Sequence, residues 1–364
     1  MSSAQPARRD DPSGPGDPPR PGDTAHPVGP PPPFDPEVAA GLPGIHQDMP
    51  PTVTADMIGM LRERGAAEAA TDTELACHGA FAVERRAVRV SGPGDEGERE
   101  IGLLICRPAL SGAALPGAAS TGAVPAGAIY YTHGGGMVSG DYRGADVLAG
   151  LRWAQELHLA LVSVDYRLAP EHPYPAGLRD CYAGLTWTAA HAAGLGIDPA
   201  RIVIAGASAG GGLAAGTALL ARDLGGPALA GQMLLCPMLD DRNDSASARQ
   251  LAGIGLWDQA SSSMGWSALL GAARDPATTS PYAAPARATD LSGLPPAFID
   301  VGSAETFRDE AVAYASALWR AGSQAELHTW PGGCHGFDLQ FPDAALSRSA
   351  IAQRVPWLRR TLDL

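Results

Sequence analysis

The segment GASAGGG, residues 206–212, surrounds one serine with nothing larger than alanine, and it limits the possible folds of this chain more than any other segment. The preceding residues, RIVIA, are mostly β-branched and predict a buried strand. The following residues, LAAGTALLARD, predict a helix. Ser208 is therefore expected in the tight turn that joins a strand to a helix.

Glycines at such a turn suit two kinds of chemistry. Gly206, Gly210 and Gly212 match the G-x-x-x-G-x-G spacing that lets a dinucleotide pyrophosphate approach a helix N-terminus in short-chain dehydrogenases. The same segment contains G-x-S-x-G, which exposes a nucleophilic serine in α/β-hydrolases. A third possibility is that the glycines only allow close packing of the helix on the sheet. The dehydrogenase interpretation also needs a Y-x-x-x-K pair, and the sequence contains no lysine, which excludes it.

Strand-like and helix-like segments alternate along most of the chain. The predicted strands include FAVERRAVRV, REIGLLICRP, GAIYYT, LALVSVDY, GQMLLCPML and PAFIDVGS, and helical patterns separate several of them. Such alternation is typical of βαβ units, so the sequence predicts an α/β fold with a mainly parallel central sheet flanked by helices.

The ends of this pattern define the predicted domains. Residues 1 to about 44 are crowded with proline, glycine and aspartate and are expected to form a disordered tail. Residues 45–364 are expected to form one hydrolase-type domain. Two segments, at about 45–80 and 240–294, interrupt the rhythm and are predicted to form a helical lid. Its apolar walls are expected to come from these side chains: Met57, Met60, Trp257, Met264 and Trp266.

Charge and cysteine content limit the function classes. The formal net charge of -13 argues against a nucleic-acid partner, because binding phosphates requires clustered basic side chains. Five scattered cysteines without C-x-x-C spacing indicate free thiols, with neither a disulfide framework nor a zinc site. No apolar run of about 18 residues is present, so no membrane partner is expected. These features together predict a cytoplasmic protein.

Three consecutive glycines follow the strand GAIYYT in the segment HGGG, residues 133–136. Their backbone N–H groups would be unshielded at the carboxyl end of a strand, where active sites of α/β proteins lie. Preorganised N–H donors stabilise the negative charge that develops on a carbonyl oxygen during acyl transfer. Gly134 and Gly135, together with Ala209 after the serine, are therefore predicted to form an oxyanion hole.

A serine becomes a nucleophile when a histidine takes its proton and a carboxylate orients that histidine. His335 follows the predicted strand ELHTW in a glycine-flanked loop, which makes it the candidate base. Glu305 lies in the loop after PAFIDVGS, whereas Asp309, the fallback, begins a helix. The chain order Ser208, Glu305, His335 is the order of α/β-hydrolases.

Five collinear motifs resemble the hormone-sensitive-lipase-like family of bacterial esterases, with matches from about residue 101 to the C-terminus. They are YTHGGGMVSGD, VSVDYRLAPEHPYPA, GASAGGGLAA, SPYAAPA, and VGSAETFRDEA with PGGCHGF. The resemblance implies an α/β-hydrolase fold and hydrolysis of short-chain carboxylic esters by Ser208 and His335, with no cofactor and no metal. One departure from the family pattern is that Glu305 occupies a position where most members carry aspartate. A homodimer is expected from the family alone.

The DYRLAPE motif of the same family is expected to support the site rather than break bonds. Arg167 and Glu171 are predicted to pair beneath it, and His133 and Asp165 to brace the glycine loop. Amidase, deacetylase or acyltransferase activity on the same triad stays open, because one triad supports all of these reactions. A non-catalytic ligand receptor on the hydrolase scaffold is the alternative from another class, although such receptors have lost the histidine.

Overall fold

A computed structural model describes residues 28–91, 98–109, 126–271 and 276–364. Its centre is an eight-stranded sheet with the order β1-β2-β4-β3-β5-β6-β7-β8. β2 runs antiparallel to both β1 and β4, and the strands from β4 across to β8 are mutually parallel. The predicted fold class is thus confirmed.

The strands are β1 Phe81–Ser91, β2 Glu98–Pro108, β3 Ala126–Thr132, β4 Ala160–Asp165, β5 Ile197–Ala207, β6 Gly231–Leu235, β7 Ala297–Gly302 and β8 Ala325–Trp330. The α-helices are α1 Pro36–Asp48, α2 Ile58–Ala67, α3 Asp72–Leu75, α4 Ala145–Leu157, α5 Ala176–Ala190, α6 Ala192–Leu195, α7 Ala209–Leu224, α8 Ala246–Gln250, α9 Gln259–Leu270, α10 Arg308–Arg320, α11 Phe337–Gln340 and α12 Ala345–Thr361.

The apolar core forms two layers, one on each face of the sheet. The central strand β3 is buried almost throughout, and β5 is buried from Ile202 onward, because helices cover both faces of these strands. Neighbouring side chains along a strand point to opposite faces, so Tyr130 packs in one layer and Tyr131 in the other. The carboxyl ends of the parallel strands consequently meet at one edge of the sheet.

Two segments remote in sequence lie together over that edge, and we call them the cap: residues 36–68 and 240–270. Thr52 donates a hydrogen bond to Asp258 (2.7 Å), and the backbone N–H of Val53 donates to Ser261 (2.7 Å). His46 Nε2 lies 2.7 Å from the carbonyl oxygen of Gly255. Polar contacts therefore join the two segments to each other.

The start of the folded region differs from the sequence-based boundary. Residues 1–27 of the predicted tail lie outside the described residues, but α1 begins at Pro36, within that tail. Asp35 caps the helix by accepting from two backbone N–H groups, and Val38 and Leu42 are buried against residues near the C-terminus. The prediction of disorder up to residue 44 is wrong for this stretch, because tertiary burial of two apolar side chains outweighs the unfavourable glycine and proline composition.

The described part of the chain contains no helix long and apolar enough to cross a membrane. All five cysteines have free thiols in the structure.

Candidate active site

Ser208 lies between β5 and α7 with a backbone φ of 56° and ψ of -122°, a strained conformation for a residue with a side chain. The turn is held from both sides, since the N–H of Ser208 donates to Leu235 (2.8 Å) and its carbonyl accepts from Met238 (2.9 Å). Gly210 explains the small-residue pattern of the sequence: a Cβ there would overlap the carbonyl oxygen of Thr132 at the end of β3. The glycines are required by close approach of the turn to the neighbouring strand.

Three side chains predicted from separate motifs meet at this edge of the sheet. His335 Nε2 lies 2.9 Å from Ser208 Oγ, and His335 Nδ1 lies 3.2 Å from Glu305 Oε1. Glu305 is almost fully buried, and its second oxygen accepts from the N–H of Gly302 (3.2 Å). The fallback acid, Asp309, instead accepts from the N–H of Ser247 (2.8 Å) in the cap.

Aromatic rings and a cap contact enclose the imidazole of His335. Phe307 meets it edge-on at a centroid distance of 5.1 Å, and Trp257 of the cap lies 6.5 Å away. The hydroxyl of Thr306, next to the acid, donates to the backbone oxygen of Trp257 (2.6 Å). The loop that carries the acid is thus connected directly to the cap.

The glycine loop after β3 differs from the prediction at one donor. The N–H of Gly134 already donates to Asp146 Oδ2 (2.8 Å), so it is not free to receive an oxyanion. Within the described residues, the N–H groups of Gly135 and Gly136 have no acceptor. Ala209 is the first residue of α7, where an α-helix leaves its N–H without an intrahelical partner. Gly136 is therefore a donor candidate that the sequence reasoning missed.

Asp146 is a second residue that the sequence reasoning missed. Its two carboxylate oxygens accept from the backbone N–H groups of Gly134 and Val147, so it fixes the glycine loop to the start of α4. Burial raises the pKa of Asp146 above its ordinary value. An acidic residue in the first turn of a helix was the available signal, but such residues usually serve only the helix dipole.

A cavity of about 390 Å³ opens beside Ser208 and His335. Its outer walls come from both cap segments, through Ile45, Met49, Leu61, Leu256 and Trp257. Of the side chains expected to form apolar lid walls, Trp257 lines the cavity, whereas Met60 is exposed and Trp266 is fully buried in the core.

The predicted pairing of Arg167 with Glu171 is wrong. Arg167 instead forms hydrogen-bonded ion pairs with the fully buried Asp180 of α5, at 2.8 and 3.0 Å. Glu171 is exposed and pairs with Arg62 of α2 at 2.7 Å. Arg62 also donates to two backbone oxygens beside the glycine loop, so this ion pair connects the cap to the body of the protein.

His133 and Asp165, both expected to brace the glycine loop, occupy different environments. His133 Nδ1 lies 2.8 Å from the carbonyl oxygen of Gly134, and its ring stacks on Tyr166 at 4.2 Å. The side chain of Asp165 lies against Gly102 of β2 instead. Asp165 also acts electrostatically on His133, so its bracing role stays a prediction, while the carboxylate hydrogen-bonded to the loop is that of Asp146.

Cys236, Glu305 and His335 place ligand-type atoms within 4.8 Å of one another. A cysteine binds metal as the thiolate, and burial raises the pKa of Cys236 well above its ordinary value. The other two side chains are already bonded to each other. Glu305 thus orients the imidazole of His335, and with a protonated Cys236 the three side chains are poorly suited to holding a metal ion.

A family model described as "alpha/beta hydrolase fold" matches residues 129–339. Among curated proteins, the chain is similar to carboxylesterase NlhH of Mycobacterium tuberculosis, with 42% identity over 239 residues, 64% of this chain and 73% of that protein. It is also similar to esterase LipI of the same species, with 37% identity over 224 residues, 57% of this chain and 65% of that protein.

Solved structures of esterases align with a larger share of the chain. A bacterial heroin esterase aligns with a TM-score of 0.77 and 35% identity, covering 90% of this chain and 98% of that one. Esterase LipW from Mycobacterium marinum aligns with a TM-score of 0.73 and 34% identity, covering 91% of this chain and 98% of that one.

Proposed function

The chain belongs to the alpha/beta hydrolase fold family, in its hormone-sensitive-lipase-like branch, and from this premise we propose that it is a serine carboxylesterase acting on short-chain esters through an acyl-enzyme. The observation that carries the proposal is the pair of contacts made by His335, 2.9 Å to Ser208 and 3.2 Å to Glu305.

The first step forms a bond between Ser208 and the ester carbonyl carbon. His335 Nε2 accepts the hydroxyl proton as Oγ attacks, and this requires the imidazole to carry its other proton on Nδ1. Glu305 favours that tautomer because its carboxylate accepts from Nδ1, and it offsets the positive charge that the imidazole gains. The buried position of Glu305 strengthens this interaction, since little water competes for the carboxylate.

The oxygen of the tetrahedral intermediate is stabilised by the N–H groups of Gly135, Gly136 and Ala209. The glycine loop that carries the donors Gly135 and Gly136 is held in place, because the N–H of Gly134 donates to Asp146. His335 then donates its proton to the departing alcohol. Water enters, loses a proton to His335 and releases the acid, which restores Ser208.

The cap serves as the lid, and we assign it residues 36–68 and 240–270, whereas the segments expected from sequence were about 45–80 and 240–294; the first cap segment thus begins within the predicted tail. Both segments contribute apolar walls to the cavity beside Ser208. A cavity of about 390 Å³ is of the size that holds small ligands, which suits esters of short acids. The cap excludes water from the reacting atoms and limits the length of the substrate.

Labelling with a fluorophosphonate, followed by intact-mass measurement, tests the nucleophile directly. We expect one adduct on the wild-type protein and none on Ser208→Ala, together with a fall of roughly 10⁴-fold or more in turnover of p-nitrophenyl butyrate. Ser280→Ala is the matched control, since that hydroxyl pairs with Tyr174 away from His335. An unlabelled wild-type protein would favour a ligand receptor, and faster cleavage of aryl amides than of esters would favour an amidase.

The cytoplasmic location and the homodimer remain predictions. Cell fractionation tests the first and sedimentation of the purified protein tests the second. The absence of a nucleic-acid partner also stays a prediction, supported by the net charge of -13.

A further inference from the structure

The loop that carries two of the oxyanion donors is strained. Met137, directly after the donor Gly136, has a backbone φ of 69°, in the left-handed region that a residue with a side chain rarely adopts. Such a conformation costs free energy and persists only where surrounding contacts hold it. Asp146 holds the loop at its first glycine, Gly134. A second set of contacts is needed at the other end, residues 137–139.

That end of the loop is bonded to Arg62 of the cap. The Nε–H of Arg62 donates to the carbonyl oxygen of Val138 (2.7 Å), and a terminal nitrogen donates to that of Ala169 (2.8 Å). The N–H of Ala169 in turn donates to the carbonyl oxygen of Met137 (3.0 Å). Val138 is fully buried, so little water competes for its oxygen. Arg62 therefore differs from the cap side chains that join the two cap segments to each other, because it bonds to the glycine loop itself.

The bond to Val138 reaches the oxyanion hole through two peptide units. The carbonyl of Val138 and the N–H of Ser139 belong to one planar peptide group, and that N–H donates to the carbonyl oxygen of Gly135 (2.9 Å). The carbonyl of Gly135 and the N–H of Gly136 belong to another. In a trans peptide the N–H points opposite to the carbonyl, so whatever holds the oxygen of Gly135 also aims the N–H of Gly136. We call these two peptide units and the two hydrogen bonds that join them to Arg62 the relay.

The relay runs from donor to acceptor in one direction throughout. It begins at a guanidinium cation, and its last N–H, that of Gly136, is one of the three proposed to bind the oxyanion. Hydrogen bonds in a chain polarise one another, and bonds from a charged donor are the stronger ones. The oxygen of Gly135 accepts two further bonds, from the N–H of Val138 (3.1 Å) and the hydroxyl of Ser139 (3.0 Å), which fix its position.

We propose that Arg62 is a positioning residue for the reaction, which aims and polarises the N–H of Gly136 through the relay. This inference rests on the proposed esterase function and adds to it a residue outside the triad. The position of the cap thereby affects the strength of the oxyanion hole as well as the shape of the cavity.

The simpler alternative is that Arg62 only ties the cap to the body of the protein. Its other contacts are two hydrogen bonds to the carboxylate of Glu171, at 2.9 and 2.7 Å, and that carboxylate is exposed. The two roles differ in their kinetic effect. A loosened cap raises KM, whereas a weakened oxyanion hole lowers kcat, because acylation and deacylation both pass through an oxyanion.

Arg62→Met separates the two roles, since it removes the donors and keeps most of the apolar length of the side chain. With p-nitrophenyl butyrate we expect kcat to fall about tenfold and KM to stay within about twofold of the wild-type value. Removing a donor outright costs roughly 10²- to 10³-fold, and Arg62 acts only through one.

Arg222→Met is the matched control. Arg222 also pairs with an aspartate, Asp223, and donates to two backbone oxygens, those of Asp290 and Ser292, which lie before β7 rather than in the glycine loop. We expect this variant to lose comparable contacts and to keep kcat.

A transition-state analogue measures the oxyanion hole separately from substrate binding. Trifluoromethyl pentyl ketone adds to a nucleophilic serine and forms an oxyanion, whereas methyl pentyl ketone of the same chain length stays a ketone. In Arg62→Met we expect the Ki of the trifluoromethyl ketone to rise by the factor by which kcat/KM falls, and the Ki of the methyl ketone to change less than about twofold.

An unchanged kcat in Arg62→Met, or a rise in KM alone, would overturn the relay, and so would an equal loss of kcat in Arg222→Met. Should Arg62→Met fail to fold, Arg62→Lys decides, because it keeps the charge and one donor group. We expect a smaller loss there, with kcat/KM and the Ki of the trifluoromethyl ketone still changing together, and a loss confined to KM would contradict the proposal.

In each of these cases the wild-type protein still hydrolyses the ester, and the proposed function stands. Failure of the wild-type protein to hydrolyse p-nitrophenyl butyrate, or to label at Ser208, would instead remove the proposed function and the relay with it.

Discussion

The two parts of the site, the sheet edge and the cap, are held in place by different kinds of contact. At the sheet edge, the turn at Ser208 is positioned by backbone atoms packed so closely that a Cβ at Gly210 would not fit. In the cap, Thr52 and Asp258 belong to segments far apart in sequence and meet through side-chain hydrogen bonds. We call the sheet edge the rigid half, because backbone atoms packed this closely do not shift singly; it holds the reacting atoms, and the cap supplies outer walls of the cavity.

This difference indicates how substitutions in each part of the site affect the protein. A substitution at the sheet edge disturbs several backbone contacts at once, because interiors packed to this density do not yield locally. A substitution in the cap removes one hydrogen bond of a set, so its effect falls on substrate binding before it reaches the chemical step. The following predictions test that division.

The largest effect is expected from Glu305→Gln, which keeps the shape of the acid. The new amide can donate to His335 Nδ1, which stabilises the tautomer with its proton on Nε2, and that tautomer cannot accept the proton of Ser208. We expect kcat to fall by about 10³- to 10⁴-fold with the fold intact, measured as p-nitrophenyl butyrate turnover beside circular dichroism. Asp309→Asn is the control, since Asp309 is bonded to Ser247 and Arg308. Equal losses in both variants would contradict the assignment of the acid.

Gly210→Ala tests the packing of the rigid half. A Cβ at this position overlaps the carbonyl oxygen of Thr132 and lies against that of His133, so we expect a loss of about 3 kcal/mol in the free energy of unfolding and of most activity. Gly194→Ala adds the same methyl group to a short helix where nothing lies within 4 Å, and it should not destabilise. Urea unfolding of the two variants compares them, and similar midpoints would break the distinction between the halves.

Asp258→Asn tests the cap. Asp258 is buried and accepts from Ser261, Thr52 and Gly253, so the amide loses part of this network at a cost of about 2 kcal/mol. We expect KM for p-nitrophenyl butyrate to rise several-fold while kcat changes little. Asp290→Asn is the control, because Asp290 caps an exposed turn at Ser292 away from the cap. A fall in kcat with KM unchanged would show that the cap acts on the chemical step.

The same residue gives the cap a pH dependence. Burial opposes the charged form of Asp258, but the hydrogen bonds from Ser261, Thr52 and Gly253 prevail and hold its pKa below the ordinary value. Its contribution to stability is therefore complete above the unfolded pKa of about 3.9 and is lost as the pH falls through the lower folded pKa. The difference in thermal midpoint between wild type and Asp258→Asn should be constant from pH 7 to 5 and shrink below pH 4.

The smallest effect is expected from Glu171→Gln. Its ion pair with Arg62 lowers the pKa of Glu171 to about 2, yet the carboxylate is exposed, and exposed pairs contribute less than about 1 kcal/mol. We expect a slight fall in thermal midpoint at low salt that disappears in 1 M NaCl, where the Debye length is about 3 Å. Glu68→Gln is the control, since its pair with Arg64 lies within one cap segment and joins nothing to the body. A salt-independent fall would mean that Glu171 acts by packing.

Ser208 and His335 could be recognised in the sequence because the signals for them are local. A serine between a strand and a helix, and a histidine just past a strand, can be recognised from neighbouring residues, and Ser208 and His335 indeed lie 2.9 Å apart. Asp146 could not be recognised in this way. Its contact with Gly134 exists because α4 begins behind the glycine loop, which is a property of the packed fold.

Contacts between distant segments were predicted less well, because the sequence around each residue does not show its partner. Arg167 has two acidic candidates nearby in sequence, and only the packing of α5 selects Asp180 over Glu171. The helix α1 contains residues that disfavour helices, and it forms because Val38 and Leu42 bury against the end of the chain. Partners supplied by distant segments decide both cases.

The buried guanidinium of Arg354 makes the position of the histidine loop depend on α12. It joins Asp300 in β7 to Asp338 beside the histidine loop, yet it belongs to α12. Without α12, Asp300 and Asp338 would be two carboxylates deprived of the cation they share. Deleting this helix is therefore expected to disturb His335 even though serine, glutamate and histidine are all still present.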